Sequence, residues 1–359
     1  MPTLVLARAD VVPVRPSTRG DARARPAVIA AWLFAMCGLI ALMVSIGGIT
    51  RLTESGLSIV QWKPLAGTLP PMNDGAWARE FAAYRTSSQY ALANQGMGLA
   101  AFKSIYWWEY AHRLLGRVIG LAFALPLAWF ALKRAIPRGY APRLIGLLAL
   151  GGMQGRVGWL MVASGLVGRT SVEPKMLAAH LLTALTLFAA ILWTALDMRA
   201  LAQIGRPLRS AQLRLIGFGS GWIVPMLALL AVQIGLGAFT AGLHAGYAAD
   251  TWPLMAGVAV PSLAPLSGWW NDAFTVQFVH RTLAYAVAAA ALFIAWRGYR
   301  ASAGLCAPAV ALAVTAQFAL GVATIVTHVP IALAALHQAG AVALLASLVV
   351  LAHWSRARA

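Results

Sequence analysis

Along this chain apolar residues run in stretches of about 20, the length a helix needs to cross the hydrocarbon core of a bilayer. Trp32 to Ile49, Leu177 to Leu196 and Ile331 to Leu351 contain no Asp, Glu, Lys or Arg. The pattern predicts about eight membrane-spanning helices, near Ala27 to Ile49, Trp108 to Leu132, Arg143 to Gly165, Pro174 to Leu196, Leu213 to Thr240, Ala273 to Trp296, Ala303 to Thr327 and Ile331 to Trp354. The expected class is an all-α polytopic membrane protein.

Basic residues collect in alternate connections. Arg8, Arg15, Arg19, Arg23 and Arg25 precede the first span, and Lys133, Arg134, Arg138 and Arg143 follow the second. Arg199, Arg206, Arg209 and Arg214 follow the fourth, Arg297 and Arg300 the sixth, and Arg356 and Arg358 the last. By the positive-inside rule these connections are cytoplasmic, so both termini are expected inside and the number of spans is even. The composition, 60% hydrophobic and 11% charged, lies far from the roughly 25% charged residues of a soluble domain. A net charge of +18 is then topological and no footprint of nucleic acid. The basic head lacks the apolar core and cleavage site of a secretory signal. It reads as a short cytoplasmic tail of a bacterial inner-membrane protein, with a mitochondrial presequence as the other reading. Cys37 and Cys306, beside or within apolar spans, suggest no disulfide.

Two long outer connections, Arg51 to Trp107 and Ala241 to Asp272, carry matching residues. Thr50, Gly56, Trp62 and Pro64 answer Thr240, Gly246, Trp252 and Pro253, allowing one deletion. The string EYAHR, Glu109 to Arg113, answers QFVHR, Gln277 to Arg281; QGRVG from Gln154 answers QFALG from Gln317; and His180 answers His337. The chain therefore divides into a tail (1–26), a first half (27–197), a cytoplasmic linker (198–212), a second half (213–354) and a short end (355–359). Each half holds an even number of spans, so both run in one direction and their pseudo-twofold axis should stand along the membrane normal.

Four of seven histidines, His112, His180, His280 and His337, occupy repeated positions on the even spans. All four are expected within about two turns of the outer end of their helices, at similar depth. Facing imidazoles in a helix bundle supply both axial ligands of a haem iron. Gly116 and Gly120 after His112, and Ala284 and Ala288 after His280, leave room for a flat ring on the same face, although small residues also let helices approach closely. One intramembrane histidine is readily structural; four in register point to function. Zinc is the competing metal, but it wants cysteine or carboxylate neighbours that the pattern does not offer.

The halves differ at one position, where Glu109 precedes His112 by three residues and the neutral Gln277 precedes His280. An acid beside one pair and an amide beside the other suggests chemistry in the first half and a permanent redox group in the second. Glu109 also reads as an interfacial acid paired with Arg113 or Arg117. Arg113 and Arg281 suit haem propionates or lipid phosphate. His244 and His328, in outer loops of the second half, are candidates for contact behind the ligands or for electron entry. Glu54 answers His244, and His353 at the inner end is expected to be solvated.

Taken together, GGITRLTESGLSIVQWKPLAGTLPP from Gly47, EYAHRLLGR from Glu109, GRVGWLMVASGL from Gly155, VQFVHR from Val276 and HVPIALAALHQ from His328 resemble the heme A synthase family. The likeness runs over nearly the whole chain after Ala27. It implies oxidation of the C8 methyl group of haem O to the formyl group of haem A, for terminal oxidase assembly. On that resemblance His112 and His180 surround the substrate haem, Glu109 is the catalytic acid, and His280 and His337 ligate a resident haem b. Haem O synthase, a quinol or ferredoxin electron donor and a second copy of the chain are the partners to consider, with the haem sites toward the periplasm. Some relatives carry a cysteine pair in an outer loop; its absence here matches the cysteine-poor branch. The rival from the residues alone is a diheme b-type cytochrome that takes electrons from quinol, which explains the histidines but not Glu109 against Gln277. A transporter built from parallel repeats explains less.

Overall fold

The computed structural model describes residues 23–63, 66–204, 220–265 and 267–357. Its helices are α1 (Pro26–Leu52), α2 (Asp74–Arg85), α3 (Ser88–Leu92), α4 (Leu99–Leu132), α5 (Ala141–Gly165), α6 (Pro174–Ile204), α7 (Ser220–Gly242), α8 (Ala273–Arg300), α9 (Cys306–Val326) and α10 (Ile331–Ala357). Among the described residues eight of these, all but α2 and α3, are long and apolar enough to cross a membrane. They match the eight expected spans one for one.

Several boundaries differ from expectation by a few residues, and two, the start of α4 and the end of α6, differ by two turns or more for a packing reason. α4 begins at Leu99, well before Trp108. Its early turns are held outside the apolar span by an aromatic cluster in which Phe102, Tyr106 and Tyr110 meet Trp77, Phe81 and Tyr84 of α2. The long first connection is thus partly helical. α2 forms because Trp77, Phe81 and Tyr84 recur on one helical face, and because the Asn73 side chain accepts a hydrogen bond from the Ala76 amide at 2.9 Å as its N-cap. α6 runs to Ile204, into what reads as linker, since Asp197 and Met198 are still buried. α10 likewise continues through the expected tail to Ala357. Arg8, Arg15, Arg19, Pro64, Arg206, Arg209, Leu213, Arg214 and Arg358 lie outside the described residues.

The spans pack as two rings of four. α1, α4, α5 and α6 each touch the next and α6 closes on α1; α7, α8, α9 and α10 repeat the arrangement. The rings meet where α1 packs on α10, α6 on α7 and α6 on α10. Ile191 and Met198 of α6 and Leu344, Leu348 and Leu351 of α10 are wholly buried. Outward, Leu121, Leu125, Leu132 and Leu312 are exposed, as expected of surfaces whose solvent is lipid. Exposed tryptophans gather at both ends of the spans. Trp62, Trp107, Trp108, Trp252 and Trp270 lie at the end with long loops, and Trp129, Trp222 and Trp296 at the other, the positions of interfacial belts.

The repeat is visible in backbone as well as sequence. Glu54 and His244 both take the left-handed conformation, with φ of 52° and 54°, and they meet: His244 Nε2 is 2.7 Å from Glu54 Oε1. Arg51 donates to the carbonyl of its own counterpart, Ala241, at 2.6 Å. Equivalent residues that touch each other must lie beside the axis relating the halves. Glu54 is outside the spans, and its carboxyl is held below the ordinary range. Burial pushes it up, but the His244 hydrogen bond and the charges of Arg51 and His244 outweigh burial.

At the opposite end His353 departs from the solvated position expected. It is 7% exposed, its Nε2 lies 2.9 Å from Asp197 Oδ1, and its ring sits edge-on to Trp193. Because α10 continues beside α6, the imidazole faces protein instead of water. Asp197 is completed by Arg143 of α5, 2.6 Å from Oδ2, so one buried carboxylate joins the two rings.

Candidate functional site

Each of the four repeated histidines lies against a glycine of the span that precedes it. A methyl group at Gly47 of α1 would stand 3.0 Å from His112 Nε2, and one at Gly158 of α5 would stand 2.8 Å from His180 Cε1. In the second half the corresponding distances are 3.1 Å from Gly237 of α7 to His280 Cε1 and 2.9 Å from Gly321 of α9 to His337 Cε1. Any larger residue would displace the ring, so glycine sets where each imidazole rests. Four such corners, two per ring, repeat one geometry.

His112 and His180 are close enough to act on each other electrostatically, as are His280 and His337. All four are half-buried. His180, His280 and His337 stand within about two turns of the starts of α6, α8 and α10. His112 does not, because α4 starts at Leu99.

Three corners carry a glutamine four residues before the glycine. Gln154 Nε2 lies 3.0 Å from His180 Nδ1 and donates to the His180 carbonyl at 3.0 Å. Gln233 Nε2 lies 3.1 Å from His280 Nδ1 and donates to the His280 carbonyl at 3.0 Å. At the last corner His337 Nδ1 is 3.1 Å from the Gln317 backbone carbonyl. Sequence comparison aligned Gln154 with Gln317 but missed Gln233, Gly237 and Gly47. A search for glutamine and glycine four apart on every odd span would have found the third.

Glu109 is 2% exposed and engages the outer loop through one carboxylate oxygen. Its Oε2 accepts from the Ser58 hydroxyl at 2.7 Å and the Ile59 amide at 2.8 Å, while Oε1 is 2.6 Å from Arg113 Nη2. The pairing with Arg113 is therefore real. Gln277 does the matching work in the second half, donating to the Ala249 carbonyl at 2.8 Å. Each half thus clamps its outer loop to its histidine-bearing helix, one through a carboxylate and one through an amide.

The arginines are held by the same loops. Arg113 donates to the carbonyls of Ile59 at 2.7 Å and Gln61 at 3.2 Å, and Arg281 to that of Thr251 at 2.8 Å. Arg281 Nη1 is buried without a hydrogen bond among the described residues. Arg113 also lines an outer cleft of about 390 Å³ with Arg117, Lys63, Tyr106 and Tyr110. His244 joins Glu54, and His328 lies 3.6 Å from Asp250. Neither is brought to a repeated histidine by a hydrogen bond or ion pair among the described residues.

This arrangement fits an iron porphyrin better than a small metal ion. Among the described residues no group of three or more His, Cys, Asp or Glu could hold a metal, and both cysteines are free. Facing imidazoles, in contrast, need only one iron between them. Gly120, on the face that follows His112, has open space where a side chain would be. The buried Oε1 atoms of Gln233 and Gln317 have no hydrogen bond, an unspent acceptor beside each second-half histidine.

Comparison with known proteins now adds to the geometry. A family model described as cytochrome oxidase assembly protein matches residues 30–349. A protein of Sphingopyxis alaskensis named Heme A synthase is 48% identical over 319 residues, 88% of each chain. One of the same name from Parvibaculum lavamentivorans is 46% identical over 87% of this chain and 90% of its own. Another, from Rhizorhabdus wittichii, is 48% identical over 92% and 94%.

Proposed function

The chain belongs to the cytochrome oxidase assembly protein family, and from that membership we propose that it is a heme A synthase that oxidises the C8 methyl group of haem O to a formyl group. The observation that carries this reading is the fourfold imidazole-on-glycine corner, two per ring, in a chain whose relatives are named for haem A synthesis. His112 and His180 would hold the substrate haem, and His280 and His337 a resident haem b. That resident group would supply one-electron transfer when bound, the chemistry of an iron with both axial positions filled by imidazole.

The chain's own residues have definite tasks in this scheme. Converting methyl to formyl withdraws electrons and protons and adds one oxygen atom. Glu109 is one helical turn from His112 on the same face, and its Oε1 is buried without a directional hydrogen bond. We assign that oxygen to holding and passing a proton released at the methyl group. Ser58 and the Ile59 amide orient the carboxylate, and Arg113 balances its charge. Gln277 cannot do the same, which supports assigning chemistry to the first half only. Arg281, with a spare buried nitrogen, and Arg113 are suited to bind propionates at the loop-rich end. That end is assigned to the periplasm of a bacterial inner membrane, with the arginine-rich connections in the cytoplasm.

Pigment extraction from the purified protein tests the proposal. A heme A synthase yields haem b together with haem O or haem A, and oxidises added haem O when supplied with dioxygen and an electron donor. Two haem b per chain with no other haem would make it a diheme cytochrome instead.

A further inference from the structure

The four corners are not equal. On α5, α7 and α9 the residue four before the corner glycine is Gln154, Gln233 or Gln317, but on α1 it is Met43. Met43 does not substitute for the amide: its Cε sits against Gly116, 3.3 Å from where a side chain there would begin. His112 accordingly has no hydrogen bond to either ring nitrogen among the described residues, whereas the other three histidines each have at least one.

The difference bears on iron binding. An imidazole that ligates iron through Nε2 keeps its proton on Nδ1, and that N–H needs an acceptor to fix the tautomer and the ring and to strengthen the ligand. His337 has the Gln317 backbone carbonyl at 3.1 Å. At His280 the amide of Gln233 faces Nδ1 with its nitrogen, while its Oε1 is buried and without a hydrogen bond. A half-turn of that amide gives the orphan oxygen the ring N–H and leaves Nε2 free for iron, in exchange for the amide's donation to the His280 carbonyl. Gln154 stands in the same relation to His180, with Thr183 donating to its Oε1. A thioether is a weak acceptor and offers no such choice.

We infer that Gln154 and Gln233 through their side-chain amides, and Gln317 through its backbone carbonyl, are positioning residues for three iron ligands, and that Met43 leaves His112 as the weakly held, exchangeable ligand through which the substrate haem enters and leaves. The inference rests on the haem reading above and adds a direction to it. A site that must release its product needs one soft ligand, and a site that keeps its cofactor needs none.

The test uses the full-length protein in detergent with ferric haem b as probe, read as the rate of haem loss to excess apomyoglobin and as low-spin EPR signals. A His280→Ala/His337→Ala background reports the first half, and a His112→Ala/His180→Ala background the second. The first half should release haem faster. Met43→Gln should slow that release about 10- to 100-fold, the usual weight of a ligand's hydrogen-bond partner, and Gln233→Met should speed release from the second half by a similar factor. Gln233→Glu keeps an acceptor oxygen, so it should retain haem while moving the EPR signal toward a more imidazolate-like ligand, which a packing role alone would not do. Release rates within twofold of the parent in Met43→Gln and Gln233→Met, with haem bound, overturn the inference and leave the haem reading standing. Backgrounds that bind no haem in either half overturn both.

Discussion

Replacing Gly321 by alanine places a methyl group 2.9 Å from His337 Cε1 and 3.4 Å from its Nδ1. Carbon atoms pack at about 3.5 Å or more, so the ring must retreat by roughly 0.6 Å. It cannot do so freely, because Nδ1 is 3.1 Å from the Gln317 carbonyl on the same side. Overpacking of this kind costs about 1–3 kcal/mol, and if the displaced ring is an iron ligand the cost falls on haem binding. At 1.4 kcal/mol per tenfold, haem affinity should drop by roughly 5- to 150-fold. The fold itself should hold, since alanine favours a helix interior over glycine by about 0.5–1 kcal/mol. The assay is haem per chain by pyridine haemochrome, with thermal unfolding in detergent followed in parallel. Gly152→Ala is the control, as that glycine is exposed with open space around its α-carbon. Gly321→Ala protein that purifies with the parent's haem content and Soret band would refute the placement of His337 at the iron.

Three further outcomes follow from the same geometry. Glu109→Gln should keep both haems but lower haem O turnover by about 100-fold or more, and Arg113, deprived of its ion pair, should lower the thermal midpoint slightly; undiminished turnover would remove Glu109 from the chemistry. Asp197→Ala should destabilise the assembly of the rings by about 2–3 kcal/mol, below the usual cost of breaking a buried pair because the Arg143 side chain is 36% exposed, with haem spectra unchanged; chemical unfolding in detergent measures it. Glu54 has a folded-state carboxyl held below its unfolded value, so its contribution is present above the ordinary glutamate range and is lost as pH falls through the lowered value. Glu54→Gln should therefore remove part of the acid limb of stability and leave the neutral region nearly flat, as thermal midpoints between pH 3 and 7 would show.

How much of this was legible beforehand follows from which forces act locally. Eight spans were readable because the bilayer demands long apolar runs and the chain has few charges to interrupt them. Their pairing into halves was readable from Glu109–Arg113 against Gln277–Arg281, since a duplication repeats its constraints. The early start of α4 was not, because Leu99 to Trp107 is held by aromatic contact with α2, a tertiary effect absent from any window of sequence. His353 was misjudged for the same reason: its position near the end of the chain suggests water, and only α6 alongside supplies Asp197. The partners of Glu109 were half legible. Arg113 lies one turn away on its own helix, but Ser58 and Ile59 come from some fifty residues upstream.

Two departures from symmetry meet at one corner. Duplication should have left four equivalent imidazoles, each against a glycine and each steadied by a glutamine, and three of the four remain so. At His112 the glutamine is methionine and the neighbouring amide is Glu109. Either change alone would be drift. Both together alter the two properties that separate a reacting site from an electron relay, how firmly the iron ligand is held and whether a proton can be taken up beside it. A relay gains from rigid ligation and neutral surroundings, which lessen reorganisation when charge moves. A site that binds a haem, changes it and gives it up needs the reverse. This physical ground supports the proposed assignment of the reaction to the first ring, and Met43 belongs with Glu109 in any comparison of the two halves.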